Sequence, residues 1–247
     1  MSRAGRFASW PSREASVSAA SLAREMAAVA QGLLAPPPFA DGAPHGNGEP
    51  VIVLPGFLSP DVTTARLRDF LARQNFHAQP WTCGLNVGPM PHVVRAVARQ
   101  ARELADTSGK AVSLVGVSLG GTIAREVAKS CATPIARVIT LVSPIHLPVT
   151  TPLAPLAEAA SLLWDMEALD ALTAIAEPPP VPLTAIVSRE DGVIDWRASV
   201  PEASPLVEVV EVTGAHMTIC SNTQVQHIVA DRLSGGTARV PFLIPTA

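Results

Sequence analysis

Charge is scarce in this 247-residue chain: Asp, Glu, Lys and Arg together make up 16% of it, against roughly 25% in an average globular protein. With a net charge of −3 and no dense Lys/Arg stripe, it has nothing to grip a phosphate backbone, which argues against a nucleic-acid partner. Cysteine is nearly absent as well. Cys83, Cys131 and Cys220 are too few and too scattered for a disulfide framework, and they lack the paired short spacings of a zinc site. Long apolar runs are missing too, since none reaches the ~18 uninterrupted residues of a spanning helix. The first residues, MSRAGRFASWPSREASV, carry a proline and a glutamate where a secretory peptide has its apolar run. These absences predict a cytoplasmic protein with no membrane span. Apolar residues, by contrast, make up 48% of the chain. That is enough to fill a sizeable core, and it excludes wholesale disorder.

The apolar residues fall into a pattern. Leu22, Met26, Val29 and Leu33 share one face of a helix that must end before Pro36-Pro37-Pro38. This face is expected to dock on the main core; peripheral contact with a membrane surface is the alternative. Residues 35–50, rich in proline and glycine, read as a linker. Residues 1–49 are therefore read as an N-terminal helical extension with its linker, and residues 50–247 as the main domain. In the latter, short apolar runs follow one another: Val51 to Leu54, a weaker one near Phe76 to Trp81, Val112 to Val117, Val138 to Val142, Leu183 to Val187 and Leu206 to Val212. Helical spacing marks Thr64 to Arg73, Val93 to Ala105 and Leu119 to Lys129. Continuous Val/Ile-rich runs alternating with helices predict a doubly wound, mainly parallel sheet of about six strands, with helices on both faces. An apolar, proline-punctuated stretch of about 144–180 is longer than a crossover helix requires and reads as a small cap insertion.

The sharpest local feature is Gly116-Val117-Ser118-Leu119-Gly120, followed by Gly121. AVSLVGV before it reads as a buried strand and LGGTIAREVAKS after it as a helix. A serine at such a tight strand-to-helix turn projects its hydroxyl above the sheet, and small residues on either side let the backbones pass. The hydroxyl needs a base to take its proton. Of the six histidines, His216 follows the last strand directly, at the edge where doubly wound sheets bind ligands. The base in turn needs a carboxylate to fix its tautomer. The loop after Leu183 to Val187 offers Glu190, Asp191 and Asp195. Asp191 is favoured because the apolar Val193-Ile194 pair would anchor the turn; Asp195 is the fallback, or else a helix N-cap. The main-chain amides of Phe57, after the first strand, and Leu119 are the candidate oxyanion donors. Asn86, between glycines after the second strand, would line the pocket or orient the oxyanion loop. Trp164 and Met166 in the cap would floor an acyl pocket.

Serine at the elbow, acid after a later strand and histidine after the last strand, in that order, resemble the α/β-hydrolase superfamily. PVIVLPGFLSPD, Trp81 to Pro89, GVSLGGTIAREVA, SREDGVIDW and GAHMTICSN are similar to a bacterial lipase/esterase-like branch. Pro55 is a departure, since many superfamily members carry histidine before the oxyanion glycine. The resemblance implies Ser118 as nucleophile, Asp191 as acid and His216 as base. Such a relay is expected to cleave a small-molecule ester through an acyl-enzyme with no metal or organic cofactor, and the apolar cap with few charges favours hydrophobic acyl chains. An acyltransferase using the same triad, or a catalytically silent scaffold, are the alternatives.

Overall fold

Strands buried on both sides form the centre of the protein. In the computed structural model, which describes residue 17 and residues 19–130, 134–145, 151–152, 155 and 176–236, six strands form one sheet. They are β1 (Pro50–Leu54), β2 (His77–Pro80), β3 (Val112–Val117), β4 (Ile135–Leu141), β5 (Leu183–Ser188) and β6 (Val207–Val212). Their order is β2-β1-β3-β4-β5-β6 and every neighbouring pair is parallel. β1 and β5 are buried along their whole length, which is why their sequences are predominantly apolar, with Thr184 and Ser188 the polar residues of β5. β2 lies at the sheet edge and is only partly buried, which explains its weak signal.

Because side chains alternate across a strand, the sheet feeds two cores. Val51, Val53, Val115 and Ile139 pack with Phe70 and Leu71 of α2 (Ala65–Arg73) and Val225 and Val229 of α5 (Thr223–Leu233). Ile52, Leu54, Leu114 and Val138 face Val97 and Ala101 of α3 (Pro91–Ser108) and Ile123 and Val127 of α4 (Leu119–Lys129). Each such fully buried side chain contributes roughly 1.5–3 kcal/mol of hydrophobic stabilisation. α3 ends where Gly109 takes a left-handed conformation, φ 68°, a glycine C-cap.

The N-terminal helix forms as α1 (Ala19–Leu34), but its docked face differs from the expected one. Met26 and Leu33 are exposed, at 54% and 80%, while Glu25 is 1% exposed. The helix is rotated so that a carboxylate, flanked by the half-buried Leu22 and Val29, meets the body of the protein. The linker is tied down rather than loose. Gly46 and Gly48 donate main-chain hydrogen bonds to the Gln74 and Asn75 carbonyls at 2.7 and 2.9 Å. Phe39 packs on Phe70 beneath the guanidinium groups of Arg66 and Arg73. Most of the expected cap, including Trp164 and Met166, lies outside the described residues. No helix among the described residues is long and apolar enough to cross a membrane.

Candidate active site

The sheet places the site. β2 lies on one side of β1 and β3 on the other, so the strand order reverses between β1 and β3, where open parallel sheets form a crevice at the strands' carboxyl ends. The loops carrying Phe57, Ser118, Asp191 and His216 all leave that edge.

Ser118 sits between β3 and α4 with φ 50° and ψ −126°. An L-residue held there costs about 1–3 kcal/mol and persists only where surrounding structure fixes it. The fixing is visible. The Ser118 amide donates to the Leu141 carbonyl at 2.8 Å. A Cβ at Gly120 would lie 2.5 Å from the Pro55 carbonyl oxygen, and one at Gly116 would collide with the main chain of Gly121. Glycines are therefore required so that β1, β3 and α4 can meet. Leu58 (φ 51°) and Val142 (φ 46°) are strained as well. Both lie at the same edge, after β1 and at the end of β4, on either side of Ser118.

The loop after β1 lies against the serine: a Cβ at Gly56 would be 3.4 Å from Ser118 Cβ. The Phe57 and Leu119 amides donate no main-chain hydrogen bond among the described residues. Leu119 is the first residue of α4, so its N–H also lies at the positive end of the helix dipole. Asn86 is fully buried. Its Nδ2 donates to the Pro55 carbonyl at 2.7 Å, and its Oδ1 accepts from the Gly88 amide at 3.1 Å. Both polar ends of the side chain are thus engaged by main chain, one on the loop after β1 and one on its own loop.

Asp191 and His216 meet. His216 Nδ1 lies 2.7 Å from Asp191 Oδ2. The carboxylate can only accept, so Nδ1 carries the proton and Nε2 is left as the basic nitrogen. Asp191 Oδ1 accepts from the Val193 and Ile194 amides at 2.8 and 2.7 Å, and both of those side chains are buried. The fallback, Asp195, instead caps the short 3-10 helix Trp196–Ser199 through the Arg197 amide at 2.9 Å. Glu190 accepts from the Gly214 amide at 2.7 Å, and Ser188 Oγ donates to the Gly214 carbonyl at 2.6 Å. These two contacts tie the acid loop to the histidine loop. A hydrogen bond between Ser118 Oγ and His216 Nε2 is not among those made by the described residues.

The sequence reading missed one residue. The Glu25 carboxylate accepts from the amides of Gly192, His216 and Met217 at 2.7, 2.8 and 2.9 Å. The available signal was a lone acid in an apolar-rich stretch, which reads equally well as an interruption.

Neither described thiol is set up as a nucleophile. Burial pushes the Cys220 thiol up to about 12, and burial followed by the charge of Asp61 raises that of Cys83, so both stay protonated at neutral pH. Arg125 is lowered to about 10 by burial. It donates to the Ala176 and Glu177 carbonyls at 3.2 and 2.9 Å, where the chain returns from the cap stretch. Among the described residues no group of three or more His, Cys, Asp or Glu side chains is arranged to hold a metal ion. A groove of about 730 Å³ runs between α1 and the loop around Met217, but Ser118, Asp191 and His216 do not line it.

A parallel sheet switching at β1/β3, with a strained serine between β3 and α4, defines the α/β-hydrolase fold, and solved structures share it. The monoacylglycerol lipase of Paleococcus ferrophilus is similar with a TM-score of 0.56 and 14% identity, over 78% of this chain and 96% of that one. An esterase of Pyrococcus furiosus gives 0.57 and 15%, over 78% and 85%. A lipase-esterase related protein of Clostridium acetobutylicum gives 0.55 and 15%, over 78% and 97%. No curated protein matches the sequence. A family model matches residues 59–230, and the chain belongs to that family, the uncharacterised protein family UPF0227.

Proposed function

We propose that this protein is a serine hydrolase that cleaves carboxylic esters with apolar acyl chains through an acyl-enzyme. Ser118 Oγ attacks the carbonyl carbon while His216 Nε2 takes its proton. The tetrahedral oxyanion is held by the amides of Phe57 and Leu119, each such donor lowering the barrier by roughly 2.7–4 kcal/mol. The imidazolium, stabilised by Asp191, returns the proton to the leaving alcohol. Water, deprotonated by the same nitrogen, then attacks the acyl-serine and releases the acid and free Ser118.

The observation that carries this reading is the His216–Asp191 hydrogen bond at 2.7 Å, formed at the same sheet edge as the strained Ser118. The Ser118–His216 contact would close in the substrate complex, since catalytic hydrogen bonds are often long in unliganded sites. The preference for apolar acyl groups is supported by Leu58 and Leu85, which stand 39% and 50% exposed on the loops after β1 and β2. Similarity of fold to a monoacylglycerol lipase and an esterase is in keeping with ester chemistry.

A fluorophosphonate probe tests the reading. Wild-type protein should be labelled and folded Ser118→Ala should not. p-Nitrophenyl esters of graded chain length should then be turned over best with aliphatic acyl groups of intermediate or greater length. Labelling that persists in Ser118→Ala, or no labelling of folded wild type, would sink the proposal. Transfer of the acyl group to an added alcohol in preference to water would reassign it as an acyltransferase.

A further inference from the structure

Glu25 lies outside every element that the α/β-hydrolase resemblance assigns to catalysis, yet it is held like a working part. Burying a carboxylate costs several kcal/mol unless its oxygens are satisfied. An apolar side chain would anchor a helix at lower cost. Glu25 is 1% exposed, and its three donors are main-chain amides from only two loops. Gly192 N–H, one residue after Asp191, and His216 N–H both donate to the single atom Oε1, at 2.7 and 2.8 Å. Met217 N–H donates to Oε2 at 2.9 Å. One oxygen thus bridges the acid loop and the histidine loop. Charge-assisted bonds of this kind are roughly twice as strong as neutral ones.

The acid loop is shaped to receive it. A Cβ at Gly192 would lie 2.7 Å from Glu25 Cγ and 2.7 Å from the Ser21 carbonyl oxygen, so only glycine lets α1 approach. We infer that Glu25 is a positioning residue: from the N-terminal helix, its carboxylate sets the His216 imidazole against Asp191 by fixing the two loops to each other. The inference rests on the reading of Ser118, His216 and Asp191 as the catalytic relay. It makes α1 part of the active site.

The conservative substitution is Glu25→Gln. Its carbonyl can still accept at the Oε1 position, but its amide then faces the Met217 N–H, a donor against a donor. The full-length variant should label with the fluorophosphonate, and turn over a p-nitrophenyl ester, more slowly per folded molecule. The expected loss in kcat is about 10–100-fold with KM within about twofold, since a misplacement near 1 Å can cost about 100-fold. Glu25→Ala should lose more. Gly192→Ala, which pushes against Glu25 without touching its charge, should reproduce the loss should Glu25→Ala fail to fold. In a His216→Ala background, Glu25→Gln should change the residual rate by less than about twofold, because the group it positions is gone.

A residue that merely anchors α1 would lower the melting temperature and leave the rate per folded molecule unchanged. That result, or the same fold-loss in the His216→Ala background, overturns the inference while Ser118-dependent labelling of wild type stands. Absent or Ser118-independent labelling of wild type overturns the relay and this inference together.

Discussion

Asn86 reaches from the loop after β2 to the Pro55 carbonyl, Nδ2 to oxygen at 2.7 Å, while its own carbonyl accepts the Leu58 amide, also at 2.7 Å. One buried residue therefore holds both flanks of the segment that carries Phe57 N–H, Pro55 through its side chain and Leu58 through its main-chain carbonyl. Asn86→Ala leaves the Pro55 carbonyl and the Gly88 amide unpaired, which should cost about 1–3 kcal/mol in a urea melt. Loosening the donor should lower kcat more than it changes KM. Wild-type stability in this variant would show that the contact carries no weight.

Asp191→Asn separates shape from charge. The Asn carbonyl can still accept from Val193 and Ile194, which places its amide N–H against His216 Nδ1. That nitrogen must then accept, the proton moves to Nε2, and the ring can no longer take one from Ser118. The expected fall in kcat is about 10⁴-fold, with the melting temperature little changed. Asp195→Asn keeps its cap on Arg197 and should stay within about threefold of wild type. Equal losses in the two variants would remove the distinction between them.

Gly120→Ala tests the elbow. Its methyl would lie 2.5 Å from the Pro55 oxygen and 2.6 Å from that of Leu54, both main-chain atoms that cannot swing away. Overpacking of this kind costs about 1–3 kcal/mol, and relief would come by pushing the β1 loop off Ser118. Chemical denaturation and fluorophosphonate labelling should both report a loss. A variant as stable and as reactive as wild type would contradict the packing described.

Cys220 should leave a mark on alkaline stability. Its thiol is raised by burial from 9.0 to about 12 in the native protein, and it takes the ordinary value once unfolded. Between those values the unfolded state has lost the proton and the native state keeps it. Stability must therefore fall as pH rises above 9. At pH 10 the deficit from this group is on the order of 1 kcal/mol. Cys220→Ala should show a shallower decline from pH 8 to 10 by about that amount in denaturant melts. Parallel declines in the two proteins would rule the effect out.

Much of this architecture is legible in the sequence wherever burial is symmetrical. β1, β3 and β5 are covered on both faces and read as mainly apolar, Val/Ile/Leu-rich runs, and β6 begins within one residue of its expected start. The serine turn declares itself because Gly116, Gly120 and Gly121 are each demanded by a main-chain or side-chain neighbour. The Val193-Ile194 pair that follows Asp191 is buried, as the sequence suggests, and it is Asp191 rather than Asp195 that meets His216. What stayed hidden depends on polar groups meeting across long distances in the chain. Periodicity placed Met26 and Leu33 on the docked face of α1 because a buried acid scores as an interruption. The amides that satisfy Glu25 belong to loops, and amides carry no sequence signature. The contacts of the linker were hidden for the same reason, its partners being the carbonyls of Gln74 and Asn75.

The separation of 191 residues between Glu25 and His216 has a consequence for biogenesis. A helix of 16 residues is marginal alone in water, and α1 finds the amides it grips only after residues 192–217 have been synthesised. During translation the elbow and central strands can assemble while α1 waits, its acid still hydrated. A polypeptide stalled before Met217 would therefore carry the Ser118 hydroxyl and an α1 whose Glu25 still lacks one of the amides that hold it.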